Sequence, residues 1–293
     1  MALRLKPDEK PGAGLRRVAR KRLQKLLNTL SAREMLRDAV VHDARRQVKE
    51  FRGVLRVARA ELGKKACRRE NQALREAARP LSELRDATVL IDTLDKLIER
   101  SHGRLKPADL ALLRRYLQER RQQVRSEVLR NKPLLAQLVG CLQGTERRVG
   151  QWPDGDGNWK AVRDGMRRIY RRARTAMRAA LEKRSNEALH EWRKRTNALR
   201  CAIELLCCRA PKRSRRITQQ AHRLTDILGE DHDLAMLGEV VQQQGVLQSE
   251  AAGAMVVSLL AKRRLALQQR AHGVGKRLFR DTGSRFVRQL FRQ

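Results

Sequence analysis

Apolar residues recur at spacings of three and four along almost the whole chain, and few runs alternate with a period of two. The first spacing is typical of helices that bury one face, so the sequence predicts an all-α protein. The segment VHDARRQVKEFRGVLR, Val41 to Arg56, shows the pattern most clearly. Its apolar face holds Ala44, Val48, Phe51 and Leu55.

The opposite face of this segment is cationic. At about 100° per residue, one stripe roughly 120° wide contains His42, Arg45, Arg46, Lys49, Arg52 and Arg56. Exposed helix faces usually mix charges, because acid–base pairs one turn apart stabilise them, whereas like charges repel. Asp43 and Glu50 lie only on the flank of this stripe. We therefore expect an anion to neutralise the stripe, rather than water alone to solvate it.

The same pattern returns 148 residues later in LHEWRKRTNALRCAIE, Leu189 to Glu204. The positions that correspond to the first stripe hold His190, Arg193, Lys194, Asn197 and Arg200. Trp192, Leu199 and Ile203 form the apolar side, and Glu204 closes the segment with an acid. A repeat of this kind favours a function for the two stripes over coincidence.

The repeat extends to the order of the predicted helices, about four long ones in each half. These halves suggest two four-helix bundles related by a pseudo-twofold axis, around a basic central groove or pore. We predict a flexible lead-in at 1–14, a first bundle at 15–143, a linker at 144–158, a second bundle at 159–275 and a basic tail at 276–293. Ser31 and Glu34 form a capping-box pattern that predicts the start of the first striped helix.

An acidic segment follows each stripe at a similar distance, LSELRDATVL in the first half and LGEDHDLAML in the second. Asp86 lies 44 residues after His42, and Asp233 lies 43 after His190. We predict that both aspartates form ion pairs with arginines of a neighbouring helix. A metal site at 230–233 is disfavoured, since consecutive helical residues point in different directions.

Further cations near the stripes in the predicted helices extend the candidate anion site, together with one tyrosine. These additional candidates are Arg20, Lys65, Arg68, Arg69, Arg167, Tyr170, Arg171, Arg174, Lys212, Arg213 and Arg216.

Composition agrees with a polyanion as the partner. Lysine and arginine number 67 against 32 acids, which gives a formal net charge of +35. Such a body attracts nucleic acid, phosphate polymers and anionic membrane surfaces, and arginine favours bidentate contact with phosphate oxygens. The five cysteines show no metal or disulfide spacing, and no signal peptide or membrane span is evident, so we expect a cytoplasmic protein.

The motifs HxxRRxxKxxR and HxxRKxxNxxR, with LRDATVL and DHDLAML, resemble the CHAD family, the conserved histidine α-helical domain. The resemblance runs from about Leu15 to His272. It implies two four-helix bundles around a basic cavity, binding of inorganic polyphosphate and association with polyphosphate granules. No β-rich triphosphate hydrolase domain fits in the chain, so we expect a stand-alone member. Asn197 departs from the lysine that the family pattern favours, which predicts an asymmetric site.

Three alternatives to polyphosphate binding follow from the sequence. A nucleic-acid-binding protein would use phosphate contacts alone, because aromatics make up only 3% of the chain and are scattered. A phosphohydrolase would need clustered acids for Mg²⁺, and attachment to a membrane surface would need aromatic anchors. No catalytic motif is evident, so we expect a binding protein without a cofactor or metal. The histidines are expected either to gain a proton beside phosphate or to act only as hydrogen-bonding residues.

Overall fold

The computed structural model describes residues 4–6, 8–30, 38–155, 158–206, 211–243 and 246–291, and gives several helical positions, Pro211 to Ser214 among them, as backbone only. Its α-helices are α1 Pro11–Leu30, α2 Asp38–Leu62, α3 Lys64–Ala77, α4 Arg79–Arg100, α5 Ala111–Arg130, α6 Lys132–Gly150, α7 Lys160–Lys183, α8 Asn186–Leu206, α9 Pro211–Val241, α10 Glu250–Leu278 and α11 Gly283–Phe291. A 3₁₀ turn, Pro107–Leu110, precedes α5. No strand occurs within these ranges, so the predicted all-α class is confirmed.

Several helix boundaries follow directly from local sequence. Gly63 separates α2 from α3 with a φ of 80°, a conformation that glycine adopts without a Cβ penalty. Pro80 lies in the first turn of α4, where its missing N–H has no helical partner to lose. The hydroxyl of Ser249 caps α10 by accepting a hydrogen bond of 3.2 Å from the backbone N–H of Ala252. The predicted capping box at Ser31 lies outside the described residues.

The two striped helices, α2 and α8, lie at the centre and pack against each other. Helices α1, α3, α4 and α7 also contact α2, while α7 and α9 flank α8. Helix α4 also contacts α9, and these two helices carry the acidic segments of the two halves. The halves are therefore interlocked along the striped helices. The pseudo-twofold relation between them stays a prediction.

Three predicted boundaries are wrong. The lead-in is anchored, since the buried Leu5 donates its backbone N–H to the carbonyl of Leu205 at 3.0 Å. The predicted linker starts too early, because α6 continues through Gly150 and packs against α1 and α3. The predicted tail contains the end of α10 and all of α11, which packs on α7. Tertiary packing outweighs the glycines and charges that suggested loops.

Within the part of the chain that the structure describes, no helix combines the length and the apolar character needed to cross a membrane.

Candidate anion-binding site

Helices α2 and α8 cross at Gly53 and Cys201, two positions that are 148 residues apart, like His42 and His190. A Cβ on Gly53 would lie 2.6 Å from the Cβ of Cys201, so the close approach requires a glycine. The C-terminal half of each helix lies beside the N-terminal half of the other. The two stripes thus pass each other in opposite directions and border two cavities.

The acidic segments of α4 and α9 contact the two stripes. Arg45 Nη1 lies 3.0 Å from Asp86 Oδ1, and Arg193 Nη1 lies 3.9 Å from Asp233 Oδ1. The predicted ion pairs of the two aspartates are therefore confirmed. Burial raises the pKa of Asp233, an effect that the Arg193 guanidinium opposes.

Lys49 lies on the same stripe and shows that cations are in excess here. Its pKa is lowered to about 8, first by desolvation and then by repulsion from Arg45 and Arg193. The side chain still contacts solvent. Desolvation also lowers the pKa of the Arg193 guanidinium. An anion placed here would relieve the repulsion.

One cavity, of about 640 Å³, lies between the C-terminal half of α2, helix α3, and the N-terminal half of α8. We call it the cationic cavity. Its lining consists of Arg52, Leu55, Arg56, Arg59, Lys64, Cys67, Arg68, Asn71, Arg75, Arg172, His190, Glu191, Lys194 and Arg195. Nine of these side chains are cationic and one is a carboxylate.

The cations of this cavity are largely unneutralised by the protein. The carboxylate, Glu191, binds Lys194 at 3.4 Å and Arg195 at 2.6 Å. Arg52 instead donates to the neutral amide oxygen of Asn71 at 2.8 Å. Across the described residues, no carboxylate lies within 4 Å of the guanidinium groups of the remaining lining arginines, which are Arg56, Arg59, Arg68, Arg75 and Arg172.

The pKa values of the arginines reflect this imbalance. The pKa of Arg56 falls to about 10, because the side chain is desolvated and Arg52 lies nearby. Desolvation, followed by repulsion from Arg75, lowers the pKa of Arg52. Burial and then the charges of Arg195 and Arg59 lower the pKa of Arg172. The cavity holds concentrated positive charge in the form that multivalent anions match.

The second cavity, of about 860 Å³, lies on the other side of the crossing. We call it the mixed cavity. It is lined by Arg4, Lys21, Arg22, Gln24, Lys25, Asn28, Arg46, Gln47, Glu50, Arg200, Glu204, Thr218 and His222. Glu50 forms ion pairs with Arg22 and with Arg46, and Glu204 accepts from Arg200 at 2.9 Å.

Three histidines near the stripes have lowered pKa values. The rings of His190 and His232 lie 4.3 Å apart between centroids, and desolvation followed by Arg193 lowers the pKa of His232 to about 3. The pKa of His190 is lowered by burial and by Lys194, and that of His42 by burial and by Arg85. Protonation beside a bound phosphate stays a prediction.

Residues 230–233 point to four different partners, as their helical spacing requires. Glu230 binds Arg263 at 2.7 Å, Asp231 lies 3.2 Å from Arg264, and the ring of His232 contacts that of His190. Asp233 faces Arg193. The described residues contain no group of three or more metal-ligating side chains that could hold a metal ion.

The predicted site residues separate into several places. The cationic cavity receives Arg52, Arg56, Arg68, His190 and Lys194. The mixed cavity receives Arg46 and Arg200, and Asn197 accepts from Arg200 at 3.1 Å. Arg45 and Arg193 pair with the aspartates, Lys49 lies close to both arginines, and His42 lies close to Arg85.

Other candidates lie elsewhere. Tyr170 is wrong as a ligand contact, because it is fully buried, stacks on Phe286 and donates to the carbonyl of Asp281 at 2.9 Å. Arg167 and Arg171 border a separate groove on α7, and Arg20 borders another on α1. Lys65, Arg69, Arg174 and Arg216 line none of the cavities described, and the same holds for His42, Arg45, Lys49 and Asn197. The side chains of Lys212 and Arg213 lie outside the described residues.

Sequence reasoning missed five cations of the cationic cavity: Arg59, Lys64, Arg75, Arg172 and Arg195. Arg59 continues the first stripe, seven residues after Arg52, so the helical period contained that signal. Arg172 and Arg195 reach the cavity only because α7 and α8 pack against α2. Their position is a tertiary property.

The family model of the CHAD domain matches residues 6–242. The chain belongs to the CHAD domain family. A crystal structure of the CHAD domain from the plant Ricinus communis is similar over 99% of this chain and 94% of that chain, with a TM-score of 0.57 and 18% identity. At that identity the likeness establishes the fold alone. None of the curated proteins matches the chain.

The CHAD match contains both striped helices and both acidic segments, and it ends shortly after α9. The family thus accounts for the helices that form the cationic and mixed cavities. Helices α10 and α11 lie beyond the matched residues but pack on α9 and α7.

Proposed function

We propose that this CHAD protein binds inorganic polyphosphate through the cationic cavity and the adjoining stripe of α2. The main support for this proposal is a concave surface lined by nine cations and one carboxylate. Neighbouring guanidinium groups on this surface repel one another. A phosphate polymer supplies closely spaced negative charges, and guanidinium groups bind its oxygens with two parallel hydrogen bonds. The family resemblance and the net charge of +35 support the same ligand.

Nucleic acid is the second candidate, since it carries the same phosphate charge. The lining of the cationic cavity includes no tryptophan, tyrosine or phenylalanine among its described residues, so bases would find no stacking surface there. We therefore expect nucleic acid to bind more weakly, through diffuse attraction to the exposed cations.

The test is competition binding at physiological salt, with labelled long-chain polyphosphate against DNA, RNA, short polyphosphate and nucleotides. We expect polyphosphate to win, and the variant Arg52→Gln/Arg56→Gln/Arg75→Gln to bind about tenfold to a hundredfold more weakly, since a charged hydrogen bond contributes about 1.5–3 kcal/mol. A matched control is Arg120→Gln/Arg277→Gln/Arg288→Gln, three exposed arginines that line neither cavity.

Equal loss in the cavity variant and the control would show that net charge alone drives binding. Effective competition by DNA or RNA, with a steep dependence on salt, would favour the nucleic-acid alternative. Circular dichroism of both variants checks that helicity is retained.

We further propose that the protein binds the polymer without cleaving it. The cationic cavity offers one carboxylate, which already pairs with Lys194 and Arg195, whereas hydrolysis with Mg²⁺ needs acidic ligands for the ion. Incubation of the pure protein with polyphosphate and Mg²⁺ should release no inorganic phosphate. Release that disappears in the Arg52/Arg56/Arg75 variant would contradict the proposal.

In the cell, binding of this kind would bring the protein to polyphosphate granules. A fluorescent fusion should colocalise with granules, and the Arg52/Arg56/Arg75 variant should be diffuse. Colocalisation of both proteins alike would separate granule association from the cationic cavity.

A further inference from the structure

The cationic and mixed cavities occupy corresponding places in the two halves of the repeat. A shift of 148 residues takes Arg52 of the first cavity to Arg200 of the second, and takes Arg46 of the second to Lys194 of the first. A shift of 147 residues, which takes Asp86 to Asp233, also takes Asn71 to Thr218. The repeat therefore places corresponding residues around both cavities.

Several corresponding positions differ in charge, among them Arg195 of the cationic cavity and Gln47 of the mixed cavity. Arg56 of the cationic cavity corresponds to Glu204 of the mixed cavity, and Arg75 corresponds to His222. Glu204 Oε1 lies 2.9 Å from Arg200 Nη1 and 2.6 Å from His222 Nε2. Glu204 thus pairs with the side chains of Arg200 and His222, which would otherwise be available to a ligand.

Glu50 adds to this effect. It pairs with Arg22 and with Arg46, so a second carboxylate neutralises the wall that α1 and α2 contribute. The position that corresponds to Glu50 in the second half is Ala198, which contributes no charge to the cationic cavity. A polyanion in the mixed cavity would have to displace these pairs and approach two carboxylates.

We infer that the chain keeps one high-affinity polyanion cavity out of the two that its repeat provides, and that Glu204 is the residue that closes the second. This inference rests on the proposed function. It makes Glu204 a specificity-determining residue of the fold, since it decides where along the crossing a polymer binds.

A two-way exchange tests it. The variant Glu204→Arg/His222→Arg gives two positions of the mixed cavity the arginines of the cationic cavity, and Arg56→Glu/Arg75→His makes the reverse exchange. Calorimetric titration at physiological salt with inorganic tripolyphosphate, a probe too short to span both cavities, measures stoichiometry. We expect one ligand per chain for the unchanged protein, two for the first variant, and at least a tenfold loss of affinity for the second.

The matched control is Glu99→Arg/Gln122→Arg, which changes the net charge by a similar amount at exposed residues outside both cavities. It should leave the stoichiometry at one. Glu204→Gln serves if the arginine variant fails to fold, and it should bind a second tripolyphosphate more tightly than the unchanged protein does.

The outcomes are distinguishable. No binding of any polyphosphate by the unchanged protein would overturn the proposed function and this inference together. Two equal sites in the unchanged protein, or one site in every Glu204 variant that folds, would overturn the inference and leave polyphosphate binding intact.

Discussion

The pKa of Lys49 reflects the charge and the solvation of its surroundings. On a solvated helix face a lysine keeps its ordinary pKa of 10.5, whereas here desolvation and two arginines lower it to about 8. The sequence shows that Lys49 lies on the stripe. It does not show the shift in pKa, because Arg193 comes from another helix.

The lowered pKa of Lys49 predicts a pH dependence of binding. Below about pH 8 the ammonium group is charged and attracts phosphate, and as the pH rises through 8 the ligand-free protein loses that charge. The affinity for polyphosphate should therefore fall between pH 7 and pH 9, and Lys49→Met should flatten this part of the profile. Titrations at constant ionic strength measure it. An identical slope in both proteins would exclude Lys49 as the titrating group.

The lowered pKa of His232 predicts that the stability of the fold decreases at acidic pH. Its pKa is about 3 in the folded protein against an ordinary 6.5, so the unfolded chain takes up a proton first as the pH falls. The stabilisation is complete above pH 6.5 and is lost progressively toward pH 3. Denaturant unfolding of the protein and of His232→Gln should show a shallower acid loss in the variant. Parallel pH profiles would contradict this.

At the scale of elements, helical periodicity was enough to predict an all-α fold and both striped helices. Periodicity did not reveal the packed segments that contain glycines or many charged residues. Gly144 and Gly150 suggested a linker, yet Val149 is fully buried and α6 packs against α1 and α3. In α11, Phe286, Val287 and Leu290 form an apolar face that the excess of arginine obscured.

The packing of α11 predicts that the C-terminal segment contributes to stability. Phe286 stacks on Tyr170 with ring centroids 4.1 Å apart, so Phe286→Ala should cost about 3–5 kcal/mol of unfolding free energy. The exposed Arg288 of the same helix serves as the control, and Arg288→Ala should stay within about 0.5 kcal/mol. Denaturant unfolding measures both. Equal, small effects would show that α11 contributes little to stability.

At the scale of the whole molecule, the repeat and the excess of cations made an anion-binding, all-α protein predictable from the sequence. What the sequence left open was the division of the stripes into two cavities of different charge. That division depends on the direction in which α2 and α8 pass each other and on residues that α3, α7 and α9 bring to the crossing. None of these follows from the periodicity of a single helix.

A net charge of +35 also predicts that a bound polyanion stabilises the fold. At a ligand concentration of 100 times the dissociation constant, binding adds about 2.7 kcal/mol, which corresponds to roughly 4 °C in the melting temperature of a chain of this size. Thermal unfolding with polyphosphate, against sodium chloride at equal ionic strength, measures it. The Arg52/Arg56/Arg75 variant should gain clearly less, and an equal gain from sodium chloride would indicate simple screening.

The crossing of α2 and α8 also has a consequence for the chemistry of a thiol. Cys201 is buried against Gly53, and desolvation raises the pKa of its thiol, so little reactive thiolate forms in the closed structure. An alkylating reagent can reach the sulfur only when the two helices separate. The rate at which Cys201 is alkylated, read by mass spectrometry, therefore reports how often the centre of the protein opens.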